Sequence, residues 1–226
     1  MAAAYHDDWG RSPADLVRGC RRAGVRDKRL LAVVARMPRA AFVPPELVSE
    51  AYLDEPVMIT HCQTTSQPSL IALMVEALAL QGGEKVLEVG TGYGYQTALL
   101  AGLAREVWSV ELWPDMVDSA RGALASQGIT NAHLLVGDGT LGAPEQAPFE
   151  AIVVAAAFPE VPGPLIDQLA PGGRLVQPIG PGGWERVTVF TKGITGLIHE
   201  RVLAGARFVR LYGKHGYALD RASTGP

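Results

Sequence analysis

The sequence is poor in cysteine: its 226 residues include two, Cys20 and Cys62, and no CxxC pair. Two thiols cannot build a disulfide framework, and no zinc site of the paired-cysteine kind is present. His61 and Cys62 alone make a poor ligand set, so no metal is expected. This cysteine usage fits a reducing compartment, and a cytoplasmic location is expected. Long apolar runs are also missing. Glu76 breaks the stretch from Leu70 to Leu80, and nothing approaches the roughly 20 apolar residues of a bilayer span. Met1 to Arg11 carries Asp7 and Asp8 with no apolar centre, unlike a secretory signal. Positive charge is not in excess. Lys and Arg number 20 against 23 Asp and Glu, a net charge of −3, which argues against nucleic-acid binding through a general basic field. There is no GxSxG elbow and no convincing Ser/His/Asp or Cys/His arrangement, so a hydrolase of the activated-nucleophile type is not indicated.

What is present is a globular composition, 48% hydrophobic and 19% charged. At roughly 150 residues per domain, the length suits one large domain with an appendage. Residues 1–68 are expected to form a helical segment and substrate loop packed on residues 69–226, the two making one structural unit. Ser12-Pro13-Ala14-Asp15 reads as a helix start, and Gly24 as its end. Asp27 caps a second helix that runs to Met37, and Pro44-Pro45 opens a short third. Thr60–Gln67 is polar and reads as a loop before a helix from Pro68 to Leu80. Short apolar runs then alternate with helical patterns. Strands are expected at 85–89, 107–111, 133–136, 151–155, 174–179 and 187–191, with a last one within 201–212. Such alternation predicts an α/β fold with a doubly wound, mostly parallel sheet.

The first of these strands runs into Glu88-Val89-Gly90-Thr91-Gly92-Tyr93-Gly94-Tyr95. Glycines at such a turn let the backbone approach a ligand at the strand's carboxyl end. A dinucleotide fingerprint would place its third glycine at Tyr95. Here it is Gly94, and Glu88 precedes the turn where a pyrophosphate would be repelled. A ligand with an ammonium and a sulfonium suits an acid there, which favours S-adenosyl-L-methionine. Glu111 ends the second strand and can accept from both ribose hydroxyls. Asp138, with Gly139 beside it, follows the third strand and can meet the adenine amino group. This is the pattern of a class I methyltransferase cofactor site.

The chain resembles the protein-L-isoaspartate (D-aspartate) O-methyltransferase family over Met37 to Gly213. Gln63-Thr64-Thr65-Ser66-Gln67-Pro68 is similar to that family's GQTISQP, and Met37–Pro44 to its VPRExFVP. Val86–Gln96 resembles VLEIGTGSGYQ, and Pro171–Val176 its PGGRLV. The resemblance implies methyl transfer from S-adenosyl-L-methionine to the α-carboxylate of L-isoaspartyl residues in damaged proteins and peptides. It implies that Ser66 is the active-site serine. It puts Thr64, Thr65, Glu88, Gly90, Gly92, Glu111, Asp138 and Gly139 on the cofactor. Isoaspartyl proteins and peptides are the expected partners of a monomer, with no nucleic-acid or membrane partner. Departures fall at Thr60 and Cys62 (both glycine in the family), Thr65, Tyr93, Ala155 and Arg210 (proline in the family). They are expected to face the methyl acceptor and to weaken its recognition, with glycine at positions 60 and 62 restoring it. A divergent relative that methylates another carboxylate, such as an aspartate side chain in one modified peptide, is the alternative reading. A binding module that keeps the cofactor site without turnover is a third.

Carboxylate methylation needs no general base, because the acceptor has an unperturbed pKa of about 4 and is already ionised at neutral pH. Trp108 and Trp113, which flank the ribose acid, read as packing. Cys62 reads as a small buried residue.

Overall fold

The computed structural model describes residues 11–219. The reading of the first ten residues as free of a secretory leader lies outside them, as does the end of the expected cofactor domain. Two helices come first, α1 (Pro13–Ala23) and α2 (Lys28–Arg36). Ser12 N–H donates to the Asp15 carboxylate at 3.0 Å, and Asp27 accepts from the Arg29 N–H at 2.7 Å. Both starts satisfy amide donors that a helix leaves free. Pro44-Pro45 opens a 3-10 turn, Pro45–Glu50, rather than a full helix.

The expected loop at 60–67 contains structure. Val57–Met58 (β1) pairs antiparallel with Thr64–Thr65 (β2), closing a hairpin. Helix α3 (Pro68–Ala77) follows. Ser66 does not cap it: the Ser69 N–H donates to Asp54 Oδ1 at 2.9 Å, so the cap comes from a preceding loop.

The main sheet is built from β3 (Lys85–Val89), β4 (Glu106–Glu111), β5 (Ala132–Val136), β6 (Phe149–Val154), β7 (Leu169–Ile179), β8 (Glu185–Lys192) and β9 (Leu197–Ala206). Their spatial order is β5-β4-β3-β6-β7-β8-β9. The first five in that order pair in parallel, and β8 and β9 extend the sheet antiparallel. Helices α4 (Tyr95–Ala101), α5 (Pro114–Ser126) and α6 (Gly163–Gln168) lie in the connections. The last strand begins and ends earlier than expected, and residues 210 and 212 make only isolated bridges.

Side chains alternate across a strand, so each face of the sheet carries its own core. On one face, Val86, Val107 and Val153 join Leu99 of α4, Val75 of α3, and Leu16 and Leu30 of the first two helices. On the other, Leu87, Val89, Ile152 and Val154 pack with Leu165 of α6. Leu16 and Leu30 are fully buried, each worth roughly 1.5–3 kcal/mol of burial. The N-terminal helices thus share a core with the sheet. Among the described residues, no helix is long and apolar enough to cross a membrane.

Candidate active site

The chain leaves β3 toward β4 on one side and later returns to β6 on the other. Ligands of doubly wound sheets bind at the carboxyl ends of strands at such a switch point. A cleft partly open to solvent lies there. Its walls are the 59–66 hairpin, the turn after β3, the end of β4, Gly139, Ala155 and Ala156 after β6, and residues 209–212.

The glycine turn carries the close approach. Gly90 has φ +94°, and a Cβ there would stand 3.3 Å from the Ala155 Cβ, so a side chain would be strained in both conformation and space. Glu111 fixes the turn. Its Oε2 accepts from the Gly92 N–H at 2.9 Å, and its Oε1 from the Leu112 and Trp113 N–H groups at 2.7 and 3.2 Å. Burial pushes this carboxyl upward in pKa against those three donors. A carboxylate has about four acceptor positions, so Glu111 keeps capacity toward the cleft that it lines.

Ser66 also lines the cleft, and among the described residues its Oγ makes no hydrogen bond. Its carbonyl accepts from Arg39 Nη2 at 3.2 Å. Arg39 is fully buried and also donates to the Ala51, Leu53 and Glu55 carbonyls at 3.1–3.2 Å. One guanidinium therefore holds the strap from 51 to 66 in place.

Of the expected site residues, Thr64, Thr65, Ser66, Gly90, Gly92, Glu111 and Gly139 line the cleft together. Glu88 and Asp138 are not among its lining residues. Glu88 shares the Val86 face of β3, beneath the turn, and is fully buried. Its carboxylate accepts from Gln96 Nε2 at 3.0 Å, Thr97 Oγ1 at 2.5 Å and Ser109 Oγ at 2.6 Å. It ties α4 and β4 to β3, so its charge does not select the ligand by contact. The Asp138 carboxylate accepts from the Thr140 N–H at 2.9 Å and the Lys214 N–H at 2.7 Å, and thus pins the C-terminal segment. Gly139 keeps its place for a packing reason, since a Cβ there would lie 2.4 Å from Val89 Cγ1.

Burial, opposed by those three donors, pushes the Glu88 carboxyl up to about 7. The folded state then binds this proton more tightly than the unfolded chain does. That contribution is complete below the unfolded value of about 4.3 and is lost as pH rises toward 7, at a cost of roughly 3 kcal/mol. Glu88→Gln keeps the shape without the titration. Urea midpoints of the variant should therefore fall less between pH 5 and 8 than those of the native chain. Parallel pH profiles would show that Glu88 stays ionised without penalty.

Trp113 is more than packing. It lines the cleft and stacks on His61, with ring centroids 4.1 Å apart and an interplanar angle of 7°. His61 Nε2 lies 2.9 and 3.0 Å from the Asp115 oxygens, which latches the hairpin turn onto the start of α5. His61 and Cys62 have φ of 56° and 53°, a conformation costing an ordinary residue roughly 1–3 kcal/mol. Thr60 does not share it. Glycine is therefore called for at 62, and the expected need for one at 60 is not met. Cys62 is exposed rather than buried, and neither Thr60 nor Cys62 lines the cleft. The departures that do are Thr65, Tyr93, Ala155 and Arg210. Met116 and Leu112 complete an apolar wall beside Glu111 that the motif reading missed. Their signal was position, within five residues after Glu111.

A parallel sheet that switches direction over a glycine turn, with an acid closing the next strand, is the architecture of the class I methyltransferases. Within that class, the chain belongs to the protein-L-isoaspartate(D-aspartate) O-methyltransferase family, whose model matches residues 11–216. A protein-L-isoaspartate O-methyltransferase of Anaeromyxobacter dehalogenans (strain 2CP-C) is 54% identical over 190 residues, 83% of this chain and 91% of that one. One from Myxococcus xanthus is 55% identical over 176 residues, 78% and 81% of the two chains. A solved protein-L-isoaspartate O-methyltransferase superposes with a TM-score of 0.79 at 29% identity, covering 90% of this chain and 67% of that one. A Plasmodium falciparum structure solved with S-adenosyl-L-homocysteine shares the fold, with a TM-score of 0.73 at 24% identity over 87% of this chain and 96% of that one.

Proposed function

We propose that this chain transfers a methyl group from S-adenosyl-L-methionine to the α-carboxylate of L-isoaspartyl residues in damaged proteins and peptides. The observation that carries the reading is the meeting, in one cleft, of Glu111 below the glycine turn and Ser66 with a free hydroxyl on the opposing hairpin. Membership of the family supports the reaction and the substrate class. When bound, S-adenosyl-L-methionine supplies an electrophilic methyl group on a sulfonium.

In this reading Glu111 accepts from the ribose hydroxyls with the acceptor capacity its backbone donors leave open. Leu112, Trp113, Met116 and Gly139 would line the part of the cleft that takes the adenine. The turn from Gly90 to Gly92 and the Thr64-Thr65 strand hold the remainder. Ser66 donates from Oγ to the acceptor carboxylate and orients it. No residue has to remove a proton, because the acceptor is already ionised at neutral pH. Orientation in a partly apolar cleft is the main contribution of the chain.

The reading extends to a monomer working in the cytoplasm without nucleic-acid or membrane partners. The two free cysteines and the net charge of −3 support it. Paired peptides, one with isoaspartate and one with aspartate at the same position, test the activity. Methyl incorporation is expected only into the isoaspartyl peptide. No transfer to it by protein that binds S-adenosylhomocysteine would overturn the reading, and transfer to the aspartyl peptide would favour the alternative acceptor.

A further inference from the structure

Among the described residues that line the cleft, two carry a charge, Glu111 and Arg210. They stand on opposite flanks. Glu111 ends β4, the glycine turn follows β3, and the Arg210 segment bridges to Ala157 beyond β6. Crossing from β4 to β6 spans two strand spacings, roughly 10 Å. The guanidinium is thus on the side away from the ribose acid, past the turn and next to Ala155 and Ala156.

Arg210 is exposed at the rim yet held in place. Its backbone neighbours are bonded to the sheet's extension: the Ala157 N–H donates to the Val209 carbonyl and the Leu211 N–H to the Ala157 carbonyl, at 2.8 and 2.9 Å. Its guanidinium lies 5.0 Å from the centroid of the Tyr217 ring. Tyr217 is itself fixed, its hydroxyl donating to the Pro181 carbonyl at 2.8 Å and its ring meeting Phe158 edge-on at 5.1 Å. Among the described residues Arg210 makes no ion pair, so its donors remain available. A planar guanidinium braced on an aromatic face is suited to grip a carboxylate.

We propose that Arg210 is a specificity-determining residue that draws acceptors with an acidic residue next to the methylated position. The proposal rests on the isoaspartyl reading of the same cleft. The reacting carboxylate belongs inside, against Ser66, whereas Arg210 stands at the mouth, where the peptide's flanking side chains pass. At that place the partner of a cation is a glutamate or aspartate side chain of the acceptor.

The test uses the full chain and isoaspartyl peptides that differ in one flanking residue, Glu or Lys, placed in turn before and after the isoaspartate. The native protein is expected to show a kcat/KM roughly five- to tenfold higher for Glu than for Lys at one of the two positions, carried by KM. Arg210→Gln should abolish the preference, Arg210→Lys should keep part of it, and Arg210→Glu should invert it. Affinity for S-adenosylhomocysteine should stay within twofold in all three. An unchanged preference in Arg210→Glu would overturn the proposal. So would a loss of S-adenosylhomocysteine affinity with no change in peptide preference, which would put Arg210 on the cofactor's own carboxylate. If the native protein methylates none of the isoaspartyl peptides, the isoaspartyl reading fails and this proposal falls with it. If it methylates them all equally, the reading stands and the proposal alone fails.

Discussion

Glu111→Ala should weaken binding of S-adenosylhomocysteine by at least about tenfold while the sheet remains folded. Two effects combine. In the proposed reading the side chain offers the ribose hydroxyls a charged acceptor, and each charge-assisted bond contributes roughly 1.5–3 kcal/mol. The same carboxylate also holds the Gly92, Leu112 and Trp113 N–H groups, so its removal releases the glycine turn as well as the ligand. Glu111→Gln separates the two effects. It retains one acceptor oxygen, but its amide group confronts an N–H donor, so it should fall between the native chain and the alanine variant. Calorimetric titration measures the affinities, and circular dichroism checks the fold. Unchanged affinity in Glu111→Ala would remove Glu111 from the cofactor site.

Ser66→Ala should show the opposite pattern: turnover down by about 10-fold or more, with S-adenosylhomocysteine affinity within a few-fold of native. A hydrogen bond from a hydroxyl to a charged group is worth roughly 1.5–3 kcal/mol, and in the proposed reading it orients the nucleophile. Ser66 has no structural duty that would confuse the result. The start of α3 is capped by Asp54, and Arg39 binds the Ser66 carbonyl, which alanine keeps. Parallel loss of cofactor affinity and turnover would move Ser66 to the cofactor side.

The sequence makes the sheet's inner strands legible and its margins less so. Lys85–Val89 is an apolar run closed by glycine, and its observed limits match the expectation. The β1–β2 hairpin was hidden because each strand is two residues long and the turn between them is polar. The end of the sheet was misplaced because β9 is an edge strand with register shifts against β8 and exposed polar residues on both faces, so no clean alternation marks it. Glu88 was read as an acid that attracts the cofactor, whereas it is a buried knot between α4 and β4. Which face of β3 it takes depends on neighbours far along the chain. Asp138 has the same difficulty, since Lys214, one of its partners, lies 76 residues away. That Glu111 and Ser66 line one cleft was easier to foresee, because each sits at the end of a local pattern.

The Arg39 knot gives the two walls of the cleft different histories. The strap from 51 to 66 is stitched to Arg39 through carbonyls no more than 27 residues distant, so it is a contiguous cassette of chain. The cofactor side requires the ends of β3, β4 and β6 to arrive in register from distant stretches of sequence. A substitution in the cassette disturbs its own hairpin, whereas one beneath the glycine turn disturbs three strands together. Selection can therefore alter the hairpin, its Thr64-Thr65 strand included, without disturbing the register of the strands that form the opposite wall. Thr60, Cys62 and Thr65, three of the departures from the family's residues, all lie in that hairpin.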